Sequence, residues 1–331
     1  MSPARKRSAL LDSLLLFMVL VWGANYSLMK AVLPELPARA FNAIRLMIAS
    51  SVYLGAVAAV WARGVPRDAM VVDPDAPSRR LAARTLGVSA LSGREWGQIA
   101  FTGLVGHFVY QAAFIEGLAR TTAANAALLI GASPIALSML SLAAGQDRPC
   151  RWHWTGLALS SAGVYLVVER AASAQAGAWR GDALMLASVA CWAVYTVATR
   201  PLLGRHSPLL VTALSMAIGT LFFVPWAWPG LRAVEWARVP LWAWAGVAVS
   251  AIFALNLAYL IWYIAVQRRG PAQVSVWSNV VPLTGMGFAW LLLDERIGLV
   301  RIGGAALILA GVALTRVAGS RPRVTDPPSE D

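Results

Sequence analysis

The sequence predicts an all-α membrane protein: ten transmembrane helices in two inverted five-helix repeats. Three observations carry that expectation. The composition suits lipid, the apolar residues fall in ten long blocks, and the same residues recur at two fixed offsets along the chain. Of 331 residues, 58% are hydrophobic and only 13% charged, with a mean hydropathy of +0.62. A soluble domain carries about 25% charged residues, so this chain has roughly half the usual polar surface to offer water.

The apolar blocks are Leu10–Val32, Ala40–Trp61, Trp96–Leu118, Ala123–Ala144 and Trp154–Val168, followed by Ala183–Thr199, Leu209–Trp228, Leu241–Val266, Ala272–Leu293 and Ile302–Val317. Most approach the ~20 residues that take a helix across ~30 Å of hydrocarbon. The fifth and tenth are shorter. Helices satisfy their own backbone hydrogen bonds in lipid, and the alternating ~10-residue pattern of a membrane β-barrel is missing from the sequence.

The repeat is read directly from the residues. Asp12, Leu14, Trp22 and Lys30 return 170 positions later as Asp182, Leu184, Trp192 and Arg200. Pro134, Asp147, Gly156, Gly163, Val164 and Leu166 return 148 positions later as Pro282, Glu295, Gly304, Gly311, Val312 and Leu314. The difference between the offsets falls on the polar stretch 62–95, rich in Pro and Arg, which reads as a long cytoplasmic loop. The organisation is then a tail at 1–9, a first repeat at 10–168, a second at 182–317 and a tail at 318–331. Five spans per repeat is odd, so the second half enters from the opposite side. Such halves suit alternating access around a midplane site.

Charge supports the topology. With both termini cytoplasmic, 18 of the 28 Lys and Arg residues fall on the cytoplasmic side and 8 on the other, as the positive-inside rule requires. The net charge of +12 is therefore a topology signal and not a nucleic-acid footprint. Cys150 and Cys191 form no metal or disulfide framework.

Further motifs carry a resemblance. The first block holds Trp22-Gly23-Ala24-Asn25 and ends on Lys30; the second holds Arg45 before Leu46-Met47-Ile48-Ala49. The third-to-fourth junction reads Gly117-Leu118-Ala119-Arg120-Thr121-Thr122-Ala123-Ala124-Asn125-Ala126, with Pro134 beyond. The second half answers with Gly181-Asp182, Trp192-Ala193, Pro282, Leu293-Asp294-Glu295-Arg296, Gly304 and Gly311-Val312. From Leu10 to Val317 the chain resembles the EamA family of the drug/metabolite transporter superfamily. The resemblance implies a ten-span bundle that exports or imports amino acids, other metabolites or toxic cations without ATP. Gly145-Gln146-Asp147 departs from the family's usual Gly-Glu, and the 62–95 loop is long for it.

Candidate site residues follow from polarity inside spans. His107, Tyr110, Gln111 and Phe114 stand at i, i+3, i+4 and i+7 and share a polar, aromatic helix face, which reads as cavity lining. The offset of 148 carries that face to Leu255, Ala258, Tyr259 and Trp262, with Asn256 adjacent. Trp22 and Trp192 read as a cavity wall or as interface anchors. Asn25 reads as helix glue or as a substrate contact. Trp277 and Asn279 precede Pro282. Arg45, Lys30 and Glu116 are the ionisable groups in or near spans, with Glu116 pairing Arg45 or Lys30, or serving proton coupling.

The predicted partners are a small-molecule substrate and membrane lipid, with no nucleic acid, no cofactor and no metal, in a monomer or homodimer. The location is a bacterial-type inner membrane. The expected activity is export of amino acids or related amphipathic compounds; import of a metabolite or vitamin is the alternative. A membrane enzyme or scaffold is the competing class, against which stands the lack of Walker, His-Glu-x-x-His and Gly-x-Ser-x-Gly motifs. A mostly uncharged aromatic cavity favours neutral or zwitterionic cargo.

Overall fold

The computed structural model describes residues 3–62, 91–146, 151–172, 178–278, 280–293 and 298–319. Most of the 62–95 loop, both chain ends and Asn279 lie outside them. Among the described residues the architecture is helical: α1 (Pro3–Val32), α2 (Ala38–Ala62), α3 (Gly93–Arg120), α4 (Ala123–Ile130), α5 (Ser133–Ala143), α6 (Arg151–Ala172), α7 (Ala178–Leu203), α8 (Pro208–Arg232), α9 (Leu241–Arg269), α10 (Pro271–Ser278), α11 (Val281–Leu293) and α12 (Leu299–Gly319).

Local chemistry sets several of these starts. Ser92 caps α3 in a reciprocal box: its hydroxyl accepts from the Glu95 amide while the Glu95 carboxylate accepts from the Ser92 amide, which satisfies two otherwise orphaned donors. Ser207 accepts from the Leu210 amide at 3.1 Å and Pro208 follows at the first helical position of α8, where its missing N–H costs nothing.

Among the described residues, six helices are long and apolar enough to cross a membrane: α1 over Ala9–Val32, then α2, α3, α7, α8 and α9. The fourth and ninth apolar blocks are each divided in two. The chain turns at 131–132 between α4 and α5, and near 280 between α10 and α11. Pro134 and Pro282 stand second in α5 and α11. A proline there cannot donate to the preceding turn, so a continuous helix through the block would lose a hydrogen bond and clash. Shorter apolar helices lie at Ser133–Ala143, Val281–Leu292 and Ile302–Gly311.

Helix boundaries recur at the two offsets. α2 and α8 begin and end 170 residues apart. α3 and α9, α4 and α10, α5 and α11, and α6 and α12 each begin 148 residues apart. Packing recurs with them: α1 lies against α11 and α9 as α7 lies against α5 and α3, while α2 meets α8 and α6 meets α12. Residues one offset apart touch at these meetings. The Ser50 and Thr220 hydroxyls share a 2.8 Å hydrogen bond, and Ser160 donates to the Ile308 carbonyl at 3.4 Å.

The α6–α12 crossing is reciprocal. A methyl group on Gly163 would run into the Gly304 carbonyl oxygen, and one on Gly311 into that of Gly156. Small residues allow such close approach between helices in lipid, where van der Waals contact replaces the hydrophobic drive. Gly311→Leu is therefore expected to separate α6 from α12 and lower the unfolding temperature in detergent by several degrees. Gly55→Leu, where an added Cβ meets nothing within 4 Å, is the control. Equal melting of the two variants would contradict a close-packed crossing.

Candidate functional site

One segment in each of α3 and α9 leaves the α-helical hydrogen-bond pattern. Leu104–Val109 and Ser250–Leu257 form π-helix, and both end where the next turns face a common cavity. Widened turns free backbone carbonyls for other donors. The Trp22 indole donates to the Ala254 carbonyl at 3.1 Å, and the Tyr53 hydroxyl reaches the Leu255 and Asn256 carbonyls at 3.2 and 2.6 Å.

The cavity holds about 50 Å³ of free space. Its wall draws Trp22, Asn25 and Tyr26 from α1, Arg45 from α2, and Tyr110, Gln111 and Phe114 from α3. Ile130 and Ser133 border the α4–α5 break, and Ser278 and Val281 the α10–α11 break. Trp192 comes from α7, and Ala254, Leu255 and Tyr259 from α9. Both breaks thus place short-helix ends at the cavity.

One side is aromatic. Trp22 and Trp192, one offset apart, meet edge-on at 5.7 Å, and Tyr259 lies 6.0 and 5.3 Å from them. Trp262 backs both at 5.6 and 5.4 Å. Tyr110 stacks on Phe114 at 5.7 Å and leans on Trp192 at 5.5 Å. Such offset and edge contacts are the favourable aromatic geometries.

The other side is polar around Arg45, only 1% exposed. Its guanidinium donates to Met29 Sδ at 2.9 Å, Ser250 Oγ at 3.2 Å and Gln111 Oε1 at 2.9 Å. All three acceptors are neutral, and Nε has no partner among the described residues. Gln111 passes the network on to the Tyr259 hydroxyl at 3.3 Å, and Ser250 donates to Asn25 Oδ1 at 2.6 Å.

Among the described residues, the carboxylates lie outside the cavity wall. Glu116 pairs with Arg39 at 2.6 Å and with Arg120, in place of the Arg45 or Lys30 pairing expected from sequence. It is four residues from Arg120 on one helix, which puts that partner within reach by local geometry. Arg39 also lies over the Trp226 ring at 4.4 Å. Asp12 pairs with Arg269 at 2.6 Å. Asp182 accepts from Thr121 at 3.0 Å and Asn125 at 2.6 Å. Glu95 accepts from Ser92 and contacts Arg205 and His206. Lys30 donates to the Leu118 and Thr121 carbonyls at 2.9 and 2.6 Å, a cation at the negative end of α3.

Other sequence candidates land beside the cavity. The His107 ring shares a 2.8 Å hydrogen bond with the Tyr195 hydroxyl and tilts on Tyr259 at 5.7 Å. It sits in the π-helical stretch, which shifts it off the face that Tyr110, Gln111 and Phe114 keep. Asn256 donates to the Ala49 carbonyl at 2.9 Å, joining α9 to α2. Trp277 is buried in α10. Tyr26 and Met29 escaped the sequence reading, although Trp22, Asn25, Tyr26 and Met29 follow the spacing of one helix face.

Known proteins share this chain's sequence pattern and fold. The model of the EamA-like transporter family matches residues 10–169 and 179–317. An uncharacterized transporter of Archaeoglobus fulgidus is 28% identical over 91% of this chain and 96% of its own length. A probable terminal-alkyne amino-acid exporter of Streptantibioticus cattleyicolor is 29% identical over 75% of this chain and 82% of that protein. A probable amino-acid metabolite efflux pump of Salmonella typhimurium is 25% identical over 94% and 96%. One solved crystal structure superposes with a TM-score of 0.68 over 94% of this chain and 99% of the other, at 18% identity, and so shares the fold. The chain belongs to the EamA-like transporter family and is a multi-pass membrane protein.

Proposed function

We propose that this protein is a secondary transporter that exports amino acids or related amphipathic compounds across a bacterial-type inner membrane by alternating access. In this reading α4–α5 and α10–α11 each count as one broken span, giving ten spans in two inverted five-helix repeats at 10–168 and 182–317, with both termini cytoplasmic. The recurrence of helix boundaries at 170 and 148 residues supports the repeat. Two relatives described as amino-acid exporters or efflux pumps support the cargo class.

The observation that carries the proposal is the cavity wall shared by the halves, with Trp22 against Trp192 and Gln111 bonded to Tyr259. Broken helices around a site between repeats are a recurring transporter design, because unwound backbone is tolerated only where it lines a cavity. Tilting one half against the other would open that wall to either side in turn. The direct test compares metabolites inside and outside cells with and without the gene, then follows the most affected compound into vesicles containing the purified protein. Accelerated counterflow of that compound is the expected result; vesicles no faster than protein-free ones would reject the proposal.

A further inference from the structure

Arg45 is the one described cation in the cavity wall, and its surroundings are unusual for a buried charge. A guanidinium stays protonated in proteins. Removing it from water costs several kcal/mol unless an opposite charge and a full set of acceptors compensate. Here three neutral acceptors engage two of its nitrogens, and Nε is left without a partner. The described carboxylates nearest in sequence or fold are engaged at the helix ends, Glu116 by Arg39 and Arg120 and Asp182 by Thr121 and Asn125. None lines the cavity. Among the described residues the site is thus positive, with no fixed anion in its wall to receive an ammonium group.

The remaining wall is mostly aromatic and aliphatic, which suits a flat apolar body more than a hydrated inorganic anion. We propose that the cavity selects amphipathic monocarboxylates, with the carboxylate held at the Arg45 guanidinium and the uncharged body against Trp22, Trp192 and Tyr259, and that a free amino group contributes nothing to binding. This deepens the transport reading and rests on it for the claim that the bound molecule crosses the membrane. It also narrows the expectation of neutral or zwitterionic cargo: organic cations are disfavoured by like charge, and an amine-free acid fits at least as well as its amino acid. Arg45 is then a specificity-determining residue.

The test uses four molecules of one skeleton: phenylpropanoate, phenylpropanamide, phenylethylamine and phenylalanine. Binding of radiolabelled phenylpropanoate to the full chain in lipid nanodiscs is measured in competition with the other three. Phenylpropanoate is expected to bind at least tenfold more tightly than the amide or the amine, and phenylalanine no more tightly than phenylpropanoate. Arg45→Gln is expected to erase the preference for acid over amide, and Arg45→Lys to keep it. The wild-type ranking needs no variant, so a misfolded Arg45→Gln does not remove the test. Acid and amide binding equally, no binding of the acid, a tenfold preference for phenylalanine, or an unchanged preference in a folded Arg45→Gln would each overturn the proposal. Flux in vesicles separates the two levels. Correct ranking without flux rejects transport and leaves the site; flux of phenylalanine without binding of phenylpropanoate rejects the site and leaves transport.

Discussion

Trp192→Ala is expected to reduce flux by more than tenfold and to lower stability as well, whereas Trp192→Phe retains most of both. Trp192 is 6% exposed and touches Trp22, Tyr110, Tyr195, Tyr259 and Trp262 with ring centroids 5.3–5.9 Å away. Aromatic pairs contribute about 0.5–1.5 kcal/mol each beyond burial, and truncating a buried Trp costs about 3–5 kcal/mol in protein cores. Loss of the ring lets Trp22 and Tyr259 collapse into the vacated space, so the wall changes shape even where the fold survives. Phenylalanine keeps a ring and most contacts. Trp290, 58% exposed on α11, is the control: Trp290→Ala leaves flux and melting near wild type. Vesicle flux together with thermal unfolding reads both effects. A folded Trp192→Ala that transports normally would remove the cavity from the substrate path.

Asp12→Asn and Asp182→Asn are expected to change access to the cavity in opposite directions. The two carboxylates are one offset apart, and so are their partners Arg269 and Thr121, 148 residues apart. Asp12 ties the start of α1 to the end of α9; Asp182 ties the start of α7 to the α3–α4 junction through Thr121 and Asn125. If the repeats are inverted, one tie lies at each membrane face. The effects also differ in size. Asp12 and Arg269 are 44% and 24% exposed, and pairs near the surface contribute about 0.2–1 kcal/mol, at most a roughly fivefold shift. Hydrogen bonds to a partly buried carboxylate are worth about 1.5–3 kcal/mol, so Asp182→Asn should be the stronger. The readout is modification of a cysteine placed at Ser133, which lines the cavity, in a chain lacking Cys150 and Cys191. An impermeant thiol reagent applied to the extracellular face should label Asp182→Asn faster and Asp12→Asn more slowly than the parent. Shifts of the same sign in both would contradict opposed closures.

The recurrence of helix boundaries was legible because the two offsets are written in residue identity. The pairing of Trp22 with Trp192 and of Pro134 with Pro282 needs only counting, and the helix boundaries follow it. The division of the fourth and ninth blocks was foreshadowed by those prolines, yet block length alone hid it, since each block is long enough to span. The face of Tyr110, Gln111 and Phe114 was legible from α-helical spacing; His107 was not, because the π-helical stretch changes the angle per residue just before Tyr110. Partners of charged groups were least accessible. Arg39 reaches Glu116 across 77 residues, and Arg45 meets Ser250 across 205, contacts made only once α2, α3 and α9 are assembled.

Those π-helical stretches bear on how a rigid membrane bundle can alter its interior. α3 is a rod of 28 residues and α9 one of 29; bending either against neighbouring lipid and protein would disturb many contacts. A widened turn stores slack, and sliding that slack by one position turns the following side chains by about 100° with a rise of about 1.5 Å, the step of one helical residue. In α3 the side chains that follow are Tyr110, Gln111 and Phe114, and in α9 Tyr259. Should a substrate bind in this cavity, a one-residue rewinding of either stretch would re-aim Tyr110, Gln111 and Phe114, or Tyr259, at it without bending the helix.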